Sequence, residues 1–364
     1  MPVKTCVAVL FGGQSTEHKI SCVSAQYVIQ NIDKNKYDVV MIGITTNGNW
    51  YNYKGSVENI SSGKWEELVL DDMETNDKFN EFENTNILNK VIINGLDKKV
   101  DVVFPVLHGI NGEDGTIQGF LELAQIPYVG CNVISSAMGM DKCISKIIFD
   151  SVDIPQAKFT IVNRSELEEN YESIERKIEN KFRYPVFVKP SNAGSSVGVT
   201  KVHNNKELQT ALKTAASYDR KVLVEEFIKG KEVECAVLGN STPKASVVGE
   251  ILAANEFYDF EAKYNNSESK TIIPANISDE SKERIRNFSI KAYKALECSG
   301  LSRVDFFLTD DEEIILNEIN TLPGFTSISM YAKLWEATGI NYKVLIEKLI
   351  NFALERFEYC RRKL

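Results

Sequence analysis

Arg303 and Asp305 stand two residues apart in one apolar segment, and Glu318 and Asn320 stand two apart in another. On an extended strand, residues two apart share a face. If the two segments pair with these faces aligned, an aspartate, a glutamate and an asparagine carbonyl converge. Hard oxygens of this kind suit Mg²⁺, which keeps several waters and bridges substrate phosphates. The plainer reading is a solvated hairpin face, and for the carboxylates alone it is the better one. Arg303 argues against it: Leu301, Val304, Phe306 and Phe307 around it are apolar, and a charge there is costly without a task.

Lys189 ends an apolar strand and runs into Pro190-Ser191-Asn192-Ala193-Gly194-Ser195-Ser196-Val197-Gly198. A turn of small residues can set backbone N–H groups and hydroxyls around a phosphate. It is not a Walker A loop, which needs G-x-x-x-x-G-K-[ST]. Taken alone it reads as an ordinary hairpin loop. Lys142 follows Asp141 at a helix start, where a cation and a helix N-terminus both suit phosphate; an exposed lysine is the commoner case. Glu225 and Glu226 end the strand from Lys221, so they point to opposite faces. One could meet an adenine amino group or a ribose hydroxyl while the other is solvated.

Glu17 lies in the turn from Gly12 to His18, where a carboxylate could hold an ammonium group. A first-turn glutamate that complements the helix dipole is the better reading of that residue alone, and His18 reads as its neighbour at the cap rather than a base. His108, followed by Gly109 and Glu113-Asp114-Gly115, ends another strand at the same edge, where ligands of open α/β sheets gather.

Elements that would position these groups can be read from the pattern. Residues 5–11 form a buried strand, 15–32 a helix, and 37–45 and 99–107 further strands. That order argues a parallel α/β unit. Residues 65–84 carry eight acids against one lysine and read as an exposed acidic insertion. Asp114 reads as an N-cap. Residues 165–181 read as one helix, with Ser165 and Glu168 as capping box. Strands at 184–189 and 197–203, a helix at 205–217 and strands at 221–228 and 232–238 make a small α+β block. Residues 253–275 lack regular signals, and a loop of that length is usually functional or disordered. A helix at 279–297, a hairpin of 301–308 and 313–319, and helices at 328–337 and 341–356 close the chain.

The chain has 364 residues and a formal charge of −9. At roughly 100–200 residues per domain this is two or three domains. The acidic balance argues against a nucleic-acid or membrane-surface binder. Seven cysteines occur singly, with no C-x-x-C pair, so zinc-ribbon and redox-pair readings fail; reduced, mostly buried thiols in a cytosolic protein fit best. The N-terminus reads as a first strand rather than a signal peptide, and no apolar run is long enough to span a membrane.

Each feature alone is weak, but eight ordered stretches occur together: FGGQSTEHKIS, FPVLHGINGEDGTIQG, MDKCISK, VFVKPSNAGSSVGV, VEEFIKGKEVECAVLG, EFYDFEAKY, SRVDFF and LNEINTLPGFTSISMYAKLWE. Together they resemble the D-alanine–D-alanine ligases of the ATP-grasp superfamily over nearly the whole chain. The resemblance implies a mixed α/β and α+β, three-domain ATP-grasp fold with an N-terminal parallel-sheet domain. Its boundaries would be 1–137, 138–230 and 231–364, with residues 253–275 as the lid. It implies ATP-dependent joining of two D-alanines through an acylphosphate, for peptidoglycan precursor synthesis. ATP and two Mg²⁺ or Mn²⁺ ions are the implied cofactors. A cytoplasmic homodimer that binds no nucleic acid or membrane is the implied context.

By the same resemblance Asp305, Glu318 and Asn320 would hold the metal ions. Lys142 and Lys189 would bind phosphates, with Ser196 and Asn317 among the nucleotide contacts. Glu225, Phe227, Ile228 and Glu232 would line the adenosine pocket, and Lys263 would reach the transferring phosphate. Arg303 and the Gly324 N–H would form the oxyanion hole. Glu17 would hold the first D-alanine's ammonium, linked to Ser195 and Tyr264, and Ser329 would bind the second amino acid's carboxylate.

The chain departs from the family pattern at Phe260, where many members have Tyr, and at Ile328, where many have His. D-lactate and D-serine ligases share the scaffold. The D-lactate type diverges in the lid, whereas Glu261-Ala262-Lys263-Tyr264 is kept here; the D-serine type has Arg where Met330 stands. A methionine there suits a methyl side chain, although a small pocket rejects a similar side chain only weakly. A nucleotide-binding protein without turnover would have lost a metal ligand or a phosphate lysine, and none is missing. A carboxylase-type ATP-grasp ligase is disfavoured by Glu17 and by the 253–275 motif.

Overall fold

The computed structural model describes residues 3–75, 99–252 and 270–360. Three sheets follow one another along the chain. The first has the order β3-β2-β1-β4, from strands β1 (Thr5–Gly12), β2 (Tyr37–Ile44), β3 (Trp50–Tyr53) and β4 (Val102–Pro105). β1 pairs in parallel with β2 and β4, while β3 is an antiparallel edge. Val7 to Phe11 are wholly buried, as an apolar run between two covered faces requires. Helix α1 (His18–Asn31) packs on this sheet.

The acidic stretch at 65–84 is not simply an exposed excursion. Its beginning lies in α3 (Lys64–Thr75), after the short α2 (Glu58–Ser61). Trp65 and Val69 of that helix are fully buried. The Trp65 ring meets Phe11 at 4.9 Å and Tyr53 at 6.2 Å. Gly43 makes room for it, since a Cβ there would lie 2.2 Å from the indole. Acid-rich composition hid one apolar stripe. Residues 76–84 lie outside the described residues.

Helix α4 (Thr116–Leu123) follows the Asn111–Gly115 turn. Asp114 is not its N-cap. Gly115, at φ 93°, holds that place, and Asp114 instead accepts the N–H groups of Asn111 and Thr116. Helices α5 (Val133–Met140) and α6 (Lys142–Ser151) meet at Asp141, whose side chain caps α6 by accepting Ile144 N–H.

The second sheet has the order β5-β8-β6-β7, from β5 (Phe159–Asn163), β6 (Val186–Pro190), β7 (Thr200–Val202) and β8 (Lys221–Glu226). The helix expected at 165–181 is two helices, α7 (Arg164–Glu169) and α8 (Tyr171–Lys181). Asn170, at φ −155°, interrupts them and caps the second by accepting Ser173 N–H. The capping box is Asn163 with Glu166, one turn earlier than Ser165 and Glu168. Apolar spacing that runs unbroken across Asn170 concealed the break. Helix α9 (Asn205–Tyr218) covers this sheet's inner face.

The third sheet has the order β11-β10-β9-β12-β13. Its strands are β9 (Lys231–Gly239), β10 (Lys244–Leu252), β11 (Lys270–Ile272), β12 (Gly300–Leu308) and β13 (Ile314–Asn320). Helix α10 (Asp279–Ala295) packs on one face, with α11 (Met330–Ala337) on the other and α12 (Tyr342–Cys360) behind it. One apolar cluster joins the first sheet to α11 and α12, uniting Phe11, Phe104, Leu301, Tyr331 and Leu349. Arg356 of α12 fixes the junction by donating to the carbonyls of Gly130 and Tyr128.

Cysteines 6, 22, 131, 143, 235 and 298 are buried free thiols, and only Cys360 is exposed. Among the described residues no helix is long and apolar enough to cross a membrane.

Candidate active site

A cavity of about 800 Å³ opens where the three sheets face one another. All sixteen site residues expected from the sequence that lie among the described residues line it: Glu17, Lys142, Lys189, Ser195, Ser196, Glu225, Phe227, Ile228, Glu232, Arg303, Asp305, Asn317, Glu318, Asn320, Gly324 and Ser329. Lys263, Tyr264 and residues 253–269 of the expected lid lie outside the described residues, and Lys270–Ile272 at its end form strand β11.

The carboxylate wall is set by register. β12 lies between β9 and β13, with Asp305 opposite Glu234 on one side and Glu318 on the other. Three carboxylates in a row across a sheet repel one another unless cations separate them. Arg303, on the same face two residues back, supplies one. Its Nε lies 2.8 Å from Asp305 Oδ1 and 2.9 Å from Glu234 Oε2, and its second fork nitrogen is 2.7 Å from Asp305 Oδ2. Burial works against the guanidinium's charge, and Asp305 and Glu234 outweigh it, so Arg303 is held charged more firmly than a free arginine. Lys142 Nζ stands 3.6 Å from Glu318 Oε2 and also donates to the Ala193 carbonyl at 2.8 Å.

Asn320, opposite Arg303, donates to Asp305 Oδ2 at 3.0 Å. The register slips by one residue after Asp305, which leaves Asn317 as the extra residue of a bulge beside Glu318. Bulges re-aim side chains next to sites. Among the described residues no group of three or more His, Cys, Asp or Glu side chains is arranged to hold a metal. Glu234 is committed to Arg303, so the metal-ligand set would be two carboxylates and an amide. That donor set is all hard oxygen and fits Mg²⁺ or Mn²⁺.

On the opposite wall, Glu225 faces Phe187 across β8 and β6, with Lys189 two residues further along. Glu225 is 4% exposed and pairs with Lys189 and with Lys146, the latter at 3.2 Å. Burial alone would push this carboxyl up; Lys189 and Lys146 outweigh it and hold it down at about 2. The Lys189 ammonium is disfavoured by burial and restored by Glu225, so it stays above the ordinary lysine value. Glu226 points away and meets Lys158. The Phe187 and Phe227 rings stand 6.1 Å apart at this end.

Glu17 closes the third side. Its carboxylate is 7% exposed and accepts the Ser195 hydroxyl. The backbones of Gly109 and Gly194 crowd it: a Cβ on either would fall 2.7 or 2.8 Å from Glu17 Oε2. His18 is not a free base, because its Nδ1 is 2.8 Å from the Gly13 carbonyl and its ring stacks on Trp65. His108 is buried between Ser24 Oγ at 3.1 Å and Glu113 Oε1 at 3.3 Å. Burial opposes its protonation and Glu113 favours it, with a net upward shift.

Ser329, just ahead of α11, receives Thr326 N–H at 2.9 Å on its Oγ, near Gly324. Met330 beside it is 7% exposed. Asp141 accepts from Ser191 Oγ and pairs with Lys221, which docks the 191–196 loop onto the head of α6.

Sequence reasoning missed Glu234 and Lys146. Glu234 is two residues after Glu232 on the same strand, and Lys146 is four after Lys142 on the same helix, so periodicity was the available signal.

A family model described as D-ala D-ala ligase N-terminus matches residues 6–131, and one described as D-ala D-ala ligase C-terminus matches residues 148–351. The chain is 56% identical over 364 residues to a D-alanine–D-alanine ligase of Acetivibrio thermocellus, covering 97% of each chain. It is 53% identical to one of Ruminiclostridium cellulolyticum, covering 99% of this chain and 98% of the relative. Among solved structures it is similar to the VanG D-Ala:D-Ser ligase of Enterococcus faecalis, with TM-score 0.85, 41% identity, and 96% and 100% of the two chains covered. It is also similar to the D-alanine–D-alanine ligase of Coxiella burnetii, with TM-score 0.82, 34% identity, and 98% and 95% covered.

Proposed function

The chain belongs to the D-alanine–D-alanine ligase family, and from that premise we propose how its cavity divides the work. The protein is an ATP-dependent ligase that joins two D-alanines into the dipeptide used for peptidoglycan synthesis. The reaction runs through an acylphosphate of the first D-alanine, which the second D-alanine's neutral amine attacks, expelling phosphate.

Lys142 and Lys189 bind the nucleotide's phosphates from two walls, with Ser196 and Asn317 beside them. Phe227, Ile228, Glu225 and Glu232 take the adenosine. Glu17 holds the first D-alanine's ammonium, and Ser195 keeps that carboxylate aimed. Arg303 and the Gly324 N–H stabilise the oxyanion of the tetrahedral intermediate; Arg303 is held in place by Asp305 and Glu234, so it needs little reorganisation at the moment of reaction. Ser329 receives the acceptor carboxylate. Asp305, Glu318 and Asn320 hold Mg²⁺ or Mn²⁺, which when bound neutralises developing phosphate charge. Residues 253–275 serve as the lid, with Lys263 on the transferring phosphate and Tyr264 joined to Ser195 and Glu17.

We assign domains at 1–137, 138–230 and 231–364, each containing one of the three sheets, and a cytoplasmic homodimer. The observation that carries this reading is the cavity itself, which gathers Glu17, Lys189 and the Arg303–Asp305–Glu318 row from three separate sheets. A D-serine acceptor is the second reading, favoured by the likeness to a D-Ala:D-Ser ligase. Against it, buried apolar Met330 offers nothing to a hydroxyl. The test is phosphate release by the purified protein with ATP, Mg²⁺ and D-alanine, with D-serine and D-lactate competing and products identified by mass. D-alanyl-D-alanine as the main product is expected. A mixed product would overturn the Met330 assignment, and no release would leave only nucleotide binding.

A further inference from the structure

Behind the Glu225 wall stands a cation that the reaction scheme does not use. Lys146 is 2% exposed, and its ammonium lies 3.2 Å from Glu225 Oε2 and 5.3 Å from the centre of the Phe159 ring. It sits on α6 one turn after Lys142, so the two lysines share a helix face. Lys142 is turned to Glu318 and Lys146 to Glu225. Lys189 reaches the same Glu225 carboxylate from the diagonal position on β6.

One carboxylate between two buried ammoniums leaves an uncompensated positive charge. A buried net charge is costly unless a counter-charge arrives. The two lysines are not equivalent toward such an anion. Lys189 lines the cavity with 15% of its side chain exposed, whereas Lys146 has 3% exposed and is not among the lining residues. An anion in the cavity can therefore draw Lys189 away from Glu225 but cannot reach Lys146.

We propose that Lys146 is a positioning residue for nucleotide binding: it is the resident counter-ion of Glu225 and frees Lys189 to engage the phosphates. This rests on the reading of Lys189 and Glu225 as nucleotide contacts. Without Lys146, moving Lys189 to a phosphate strands Glu225 as a bare buried carboxylate. The cost then falls on the nucleotide-bound state alone, because in the free protein Lys189 still pairs with Glu225.

The test compares Lys146→Met, Lys146→Arg, Glu225→Gln and the Lys146→Met/Glu225→Gln double variant with the parent. Melting temperatures are taken with and without ATP–Mg²⁺, and KM is measured for ATP and for D-alanine. Lys146→Met is expected to melt close to the parent without nucleotide, to lose most of the ATP-induced rise, and to raise KM for ATP roughly tenfold or more, the scale of one charge-assisted hydrogen bond. KM for D-alanine should stay within about twofold, well inside one such bond. Lys146→Arg should restore the ATP response.

In the Glu225→Gln background, adding Lys146→Met should cost little more, because the residue acts through that carboxylate. Additive losses, or a Lys146→Met variant destabilised equally with and without ATP, would overturn the proposal in favour of a purely structural lysine. Parent-like ATP binding by Lys146→Met would also overturn it. If the parent itself shows no ATP-induced rise, it is the nucleotide reading that fails.

Discussion

Glu17 accepts a hydrogen bond from Ser195, which joins the head of α1 on the first sheet to the β6–β7 loop of the second. These residues are 178 positions apart, and the bond crosses the mouth of the cavity. It holds a carboxylate that Gly109 and Gly194 crowd from either side, so Glu17 has little freedom to turn away from a bound ammonium.

Ser195→Ala removes this tether and leaves both sheets intact. A hydrogen bond to a charged group contributes about 1.5–3 kcal/mol, and each 1.4 kcal/mol is about tenfold. Turnover at low D-alanine should therefore fall about 10- to 100-fold while ATP affinity is retained. Steady-state kinetics with each substrate varied will decide it, and an equal loss toward ATP would contradict the tether.

Arg303 should matter for folding as well as for chemistry. Removing it leaves Asp305 and Glu234 buried without their cation, so Arg303→Ala should cost about 3–5 kcal/mol of stability. Arg303→Lys keeps the charge but loses the fork that spans both carboxylates, and should recover only part of it. Denaturant melts measure the stability change. Turnover should drop at least about 100-fold in both variants if this residue also meets the oxyanion.

Glu318→Gln tests the metal assignment without disturbing the fold. Lys142 stands 3.6 Å away and retains a bond to the Ala193 carbonyl, so no group is stranded. Turnover should be abolished at ordinary Mg²⁺, and titration with Mg²⁺ or Mn²⁺ should show weakened activation. Normal activity in this variant would remove Glu318 from the metal set.

What could be read from the residues, and what could not, follows from range. The hairpin with Arg303, Asp305, Glu318 and Asn320 was legible because two-residue spacing and a short acidic turn are local signals. Glu234 was not, since its importance comes from β9 lying beside β12 some 70 residues later. The break at Asn170 escaped because apolar periodicity continues through it, and a local side-chain cap outweighs one helical hydrogen bond. Trp65 was masked by acidic neighbours, although the Gly43 that accommodates it lies on β2, beyond any local window. Most of the site was recognised through family resemblance rather than physical pattern, which alone left each candidate weak.

The Glu225 carboxyl sets an acid limit on stability. It ionises at about 2 in the folded chain against an ordinary 4.5. A lowered folded value means that the contribution is complete above about pH 4.5 and is lost as pH falls through about 2. The shift corresponds to roughly 3 kcal/mol at neutral pH. Glu225→Gln should therefore melt lower than the parent at pH 7, and the gap should close as both are acidified below pH 4.5. A gap unchanged down to pH 2.5, about half a unit above the folded value, would mean that the carboxylate's charge contributes nothing.

Acceptor choice turns on Met330. Its side chain is buried beside Ser329 and abuts Gly249, where an added Cβ would come within 2.5 Å of the methionine methyl. Met330→Arg places a donor at the acceptor end of the cavity. A site built to hydrogen-bond a hydroxyl discriminates far more strongly than an apolar wall rejects one. D-serine incorporation relative to D-alanine should therefore rise about 10- to 100-fold in direct competition. Gly249→Ala acts on the same methionine from the other side: it forces the thioether toward the substrate and should lower D-alanine use without admitting D-serine. If both variants keep the parent's product ratio, the acceptor's side chain is read elsewhere, and Met330 serves only to fill the wall between α11 and β10.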